Sequence, residues 1–91
     1  MLFEWDKNKA SQNLLKHGVS FEEASTAFRD EMSITIFDPL HSDDENRFVL
    51  LGYSERNRLL VVVHTDRNYR TRIISARPAT QKERMKYEEG R

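Results

Sequence analysis

Two periodicities alternate along this chain. In LFEW, Phe3 and Trp5 alternate with Leu2 and Glu4, the two-residue period of a short half-buried strand. Over KNKASQNLLKH, residues 7–17, the spacing lengthens. Ala10 and Leu14, with Asn13 or His17, share a helical stripe; Asp6 stands where an N-cap is needed, and Gly18 is suited to a left-handed stop. A second helix is signalled by Ser20 and Glu23, spaced as a capping box, with Val19 and Ala24 as a hydrophobic staple. Phe21, Ala24, Ala27 and Phe28 then recur at helical spacing and are expected to face the core.

From residue 33 the period returns to two. SITIF sets Ile34 and Ile36 on one face. Beyond Asp38-Pro39 and the polar HSDDEN come RFVLLGY, the turn SERN, RLLVVVHT, the turn DRN and YRTRIISAR, which together predict an antiparallel meander. Asn57 and Asn68 suit turn positions that need positive φ. LLVVV is apolar on both faces and marks a central strand. Pro78 ends the last strand, and Thr80 with Glu83 repeats the capping box before QKERMKYEEG. With only Met85 and Tyr87 as apolar anchors, that helix is expected at the rim, or against something outside this chain. The predicted order β-α-α-β-β-β-β-α describes an α+β domain, a small antiparallel sheet with its helices packed on one face.

Composition narrows the setting. The 91 residues suit one domain, residues 1–91, and the absence of cysteine excludes disulfide staples and thiolate zinc sites. MLFEWDKNKA is charged within a few residues, unlike a signal peptide, and no apolar run is long enough for a bilayer, so a reducing cytoplasm is the expected location. The hydrophobic fraction is 37%, so the core should be modest and a partner could cover part of the surface. The zero net charge hides an asymmetry. Residues 1–45 hold four Lys/Arg against ten Asp/Glu, a balance of −6; residues 46–91 hold eleven against five, a balance of +6. The two halves could simply neutralise each other across the fold, or leave one basic face able to meet nucleic acid.

The side chains present bear on three chemistries. His41, Asp43, Asp44 and Glu45 share one loop, but their spacing matches no metal motif, so no metal and no cofactor is expected. There is no G-x-S-x-G elbow for a serine nucleophile, and three glycines cannot build a phosphate loop. The arginine-rich hairpin remains. Arg67, Arg70, Arg72 and Arg77, with His64 and Tyr69, combine phosphate forks, a titratable imidazole and a stacking ring. RNA can be cut without metal through its own 2′-hydroxyl, given a base, an acid and cations on the phosphorane. The same residues also read as ordinary solvent-facing strand positions, with His64 a satisfied, partly buried histidine. On an ideal strand Arg70, Arg72, Ile74 and Ala76 share one face, and Ile73, Ser75 and Arg77 the other. Arg72 and Arg77 therefore meet only if a bulge intervenes, or if Arg77 lies past the strand end.

FEWDKNKASQNLLKHGVSFEEA, RLLVVVHT and RIISARPATQKERMKYE together resemble the BrnT family, toxins of type II toxin–antitoxin pairs, over nearly the whole chain. The matching positions are Lys7, Lys9 and Lys16-His17-Gly18, then His64-Thr65, then Arg72, Ser75 and Arg77; Asn57 and Asn68 stand where the family carries turn glycines. The resemblance implies a RelE-like fold and a metal-independent ribonuclease that arrests translation and growth. It also implies a BrnA-type antitoxin whose ribbon-helix-helix part binds operator DNA and represses the operon, the toxin touching DNA only through it. On this reading Arg72 and Arg77 hold the phosphate and His64 moves the proton, with Lys16, His17 and Tyr87 as further catalytic candidates. Lys7, Lys9, Arg67, Tyr69, Arg70 and Ser75 are the expected RNA contacts. The rival reading is a non-catalytic module that binds RNA, ribosomes or the antitoxin.

Overall fold

Asp6 opens the first helix as expected: its carboxylate accepts from the backbone N–H of Asn8 at 2.8 Å and of Lys9 at 3.1 Å. In the computed structural model, which describes residues 1–39 and 46–90, this helix is α1, Lys7–His17, and Gly18 ends it at φ 69°. It follows a short strand β1, Leu2–Glu4. Ser20 caps α2, Phe21–Thr26, by accepting from the Glu23 N–H, and α2 runs into a 3-10 turn, Ala27–Arg29. The reciprocal half of the expected box is not made here. The Glu23 carboxylate instead accepts from Ser54 Oγ at 2.7 Å and from Arg58 Nε at 2.9 Å, tying α2 to the turn after Tyr53.

The remaining elements are β2, Ile34–Asp38; β3, Arg47–Tyr53; β4, Leu59–Arg67; β5, Arg70–Pro78; and α3, Gln81–Glu89. The α+β class and the element order agree with the sequence pattern. The strands form one sheet in the order β1-β5-β4-β3-β2. Its four later strands are antiparallel, while β1 joins β5 in parallel, so the sheet is mixed.

Both faces of the sheet are covered, which refines the one-face expectation. Leu50, Leu60, Val62, Ile73 and Ala76 pack beneath α1 and α2 with Val19, Phe21, Ala24 and Ala27. Leu51, Leu59 and Val61 point the other way and pack with Tyr87 of α3. The alternation of LLVVV supplies both layers, since neighbouring strand residues face opposite sides. After Pro78 the Ala79 N–H still bonds to Leu59 O at 2.8 Å, and a complete Thr80–Glu83 capping box then starts α3 on the second face. Tyr87 is its anchor; Met85 is exposed.

Candidate active site

A register shift in β5 decides which side chains meet. Val63 pairs with Ser75 and His64 with Ile73, so Ile74 has no partner on β4. This is a β-bulge. It explains how Ile73 and Ala76, three residues apart, both reach the core beneath the helices. It also resolves the parity problem. Arg72 lies opposite Thr65 and Arg77 opposite Val61, and both partners belong to the face that α3 partly covers. Arg70, Arg72, Ser75 and Arg77 therefore share one side of the sheet.

Beyond β1 the outer edge of β5 is completed by a side chain. Asn13 donates from Nδ2 to Ala76 O at 2.8 Å and to Val19 O at 2.9 Å, and its Oδ1 accepts from the Ala76 N–H at 3.1 Å. The amide stands in for a missing strand and holds α1 against β5. Between the two elements lies a groove of about 200 Å³, lined by Lys9, Gln12, Asn13, Lys16, His17, Ile74 and Ser75. Lys9 and Lys16 are exposed and His17 is half-buried. Two cations, an imidazole and a hydroxyl on one concave surface can hold an anion and move a proton.

The two arginines are held by carboxylates. Arg72 donates to Glu4 at 3.2 Å, its parallel neighbour on β1, and Arg70 approaches the other oxygen at 3.8 Å. Arg77 makes a two-pronged pair with Glu83, both bonds at 2.8 Å, and Glu83 also accepts from the Thr80 N–H. The Arg77 bonds draw the Glu83 carboxyl down to about 2 and push the guanidinium up. Arg72 is also close enough to the α1 N-cap to help lower the Asp6 carboxyl, where the Lys9 and Asn8 backbone bonds have the larger effect.

Not every expected participant is here. His64 faces the helix side, at 5% exposure, between Phe28 (4.8 Å, edge-on) and Phe48 (5.8 Å, stacked). Burial pushes its pKa down, against smaller opposing effects from the Val62 carbonyl and Asp66. The sheet separates it from the arginines with which the sequence groups it. The Tyr87 hydroxyl donates to Asp30 at 2.7 Å and its ring packs edge-on against Tyr53. Lys7 is exposed near the start of α1. Arg67 and Arg70 flank the β4–β5 turn, in which Asn68 (φ 49°) and Tyr69 (φ 65°) are both left-handed and Tyr69 is fully exposed. The loop with His41, Asp43, Asp44 and Glu45 lies outside the described residues. The sequence names Glu83 only as a capping residue and leaves Glu4 without a partner, because their bonds to Arg77 and Arg72 are contacts that no capping or strand pattern announces. It also passes over Arg47 of β3, directly across from Thr65.

This combination, a mixed sheet with helices on both faces and a cation-lined groove along its final strand, defines an α+β domain with a basic groove at its sheet edge. Residues 5–83 match the family described as the ribonuclease toxin, BrnT, of type II toxin–antitoxin systems, and the chain belongs to that family. It is thus a ribonuclease toxin of a type II pair, with RNA as substrate and an antitoxin as partner. Among solved structures, the fold is similar to the Brucella abortus ribonuclease toxin BrnT. The match has 21% identity and a TM-score of 0.65, covering 89% of this chain and 100% of that one. No curated protein sequence matches. None of the described helices is long and apolar enough to cross a membrane.

Proposed function

We propose that the chain cleaves RNA without a metal, through attack of the substrate's own 2′-hydroxyl, along the groove between α1 and β5. One observation carries this reading. The bulge at Ile74 aligns Arg72, Ser75 and Arg77 on one face, and Ser75 also lines the groove with Lys9, Lys16 and His17. His17 takes the 2′-hydroxyl proton. The 2′-oxygen bonds to phosphorus as the bond to the 5′-oxygen breaks, and that oxygen leaves with a proton from Lys16. The products are a 2′,3′-cyclic phosphate and a free 5′-hydroxyl. Arg72 and Arg77 offset the charge that builds on the phosphorane.

Glu4 and Glu83 keep the two guanidiniums ordered before substrate arrives, and a phosphate replaces each carboxylate on the same donor fork. Lys7, Lys9, Arg67 and Arg70 grip the backbone, and Tyr69 offers a face to an unpaired base. The partner is a BrnA-type ribbon-helix-helix antitoxin. It covers these cations and represses its own operon, the toxin reaching operator DNA only through it. Cleavage stops translation and growth in the cytoplasm.

A second reading draws on the same ion pairs. With Arg72 and Arg77 already matched to carboxylates, the face would suit an acidic antitoxin segment, and the chain would act as a binding module or co-repressor. The deciding experiment incubates purified protein with single-stranded RNA in EDTA. New ends bearing 2′,3′-cyclic phosphate are expected. Intact RNA under conditions where the protein binds it would replace the nuclease with the binding module.

A further inference from the structure

One row of residues crosses the whole sheet on the face that carries the arginines. In strand order it reads Glu4, Arg72, Thr65, Arg47 and Asp38, each directly opposite the next. Carboxylates occupy both ends and guanidiniums the two inner positions, which concentrates positive potential on the central strand. Thr65 stands there, 3% exposed. Among the described residues, its Oγ1 is the buried side-chain polar atom that finds no hydrogen-bond partner. Native proteins leave few such groups.

We propose that Thr65, Arg47 and Arg72 form a second phosphate subsite, which seats the RNA backbone next to the scissile phosphate. This rests on the ribonuclease reading. A hydroxyl flanked by two cations is complementary to an anionic oxygen: it donates one hydrogen bond while both guanidiniums balance the charge. Directly opposite strand residues have Cβ atoms roughly 5 Å apart, so one phosphate can meet all three. The location fits a nucleotide chain. Thr65 is one strand over from Ser75 and about 7 Å further along, two residues by strand spacing, comparable with the step between backbone phosphates. Entry of the phosphate draws the arginine side chains aside and satisfies the hydroxyl.

The test measures affinity for a single-stranded oligonucleotide with methylated 2′-hydroxyls, which cannot be cut by the proposed route, so binding is read even where cleavage fails. Thr65→Val keeps the shape and deletes the hydroxyl. It is expected to raise Kd about tenfold while leaving the thermal midpoint unchanged or higher, because an unpaired buried group has gone. Thr65→Ser should restore affinity. Arg47→Gln should also weaken binding and reduce the salt slope by roughly 0.7. The double variant should lose less than the two single losses combined, as expected when both groups hold one phosphate. Unchanged affinity in Thr65→Val and Arg47→Gln overturns the subsite, as does a loss confined to antitoxin binding or a wild-type protein that does not bind the oligonucleotide. Unimpaired binding without cleavage counts instead against the nuclease mechanism alone.

Discussion

Replacing Asn13 by Leu tests how α1 and the groove are secured. The substitution keeps an apolar branch of similar size but removes three hydrogen bonds, to Val19 O, Ala76 O and the Ala76 N–H. Each left-over backbone group costs about 1–3 kcal/mol if it stays dry. Asn13 lines an open groove, so water can reach some of them, and the lower end applies. The expected loss is about 3 kcal/mol. A domain of this size has roughly 5–14 kcal/mol in all, so the variant should still fold. Urea denaturation should show a lower midpoint with an unchanged slope. Amide exchange supplies the local readout: the Ala76 N–H should lose protection, while Val62, on the neighbouring central strand, keeps it. Cleavage should fall more than folding explains, because α1 carries Lys9, Lys16 and His17. A loss below about 1 kcal/mol with Ala76 still protected would refute the idea that this side chain completes the sheet edge.

Further outcomes follow from the same geometry. Arg72→Ala and Arg77→Ala should each lower cleavage by about 10² or more with the fold retained, whereas His64→Leu should stay within roughly threefold of wild type, all read on one RNA substrate. Glu83 has its carboxyl lowered to about 2 in the native state, so the folded protein binds fewer protons than the unfolded chain. Its contribution is complete above the ordinary value of 4.5 and fades as pH falls toward 2; the stability gap between wild type and Glu83→Gln, followed by urea midpoints, should close over that range. Tyr69→Gly should relieve the left-handed backbone and stabilise the fold by about 1 kcal/mol, while weakening oligonucleotide binding through the lost ring.

Much of the fold was legible because its signals are local. Asp6, Gly18, Ser20, Thr80 and Asn57 each act within a few residues, and each stands where the pattern put it. What escaped is what depends on distant partners. β1 pairs in parallel with a strand almost 70 positions later, a contact that no turn announces, and with it came the Glu4–Arg72 pair. The two-sided apolar run LLVVV already implied cover on both faces, yet the polar character of α3 hid that one well-placed tyrosine would suffice. His64 shows the limit of composition. A histidine among arginines in the sequence can sit on the opposite side of a sheet from them, because adjacent strand positions face apart. In the sequence a bulge and a strand end both account for Arg77, with Pro78 making the strand end plausible, and the pairing with Val61 decides for the bulge.

Insertions and deletions are normally tolerated in loops and resisted in sheets, but β5 adds a sharper constraint. Its supernumerary residue at Ile74 works as a phase change between two halves of one strand. Taking Ile74 into a regular ladder opposite Val63 would exchange inside for outside over everything that follows, turning Arg77 toward the apolar layer and Ala76 away from it. Register at this point is therefore as much a specification as residue identity, and a strand that lost the bulge by pairing Ile74 could keep every side chain named above while losing the surface they make together.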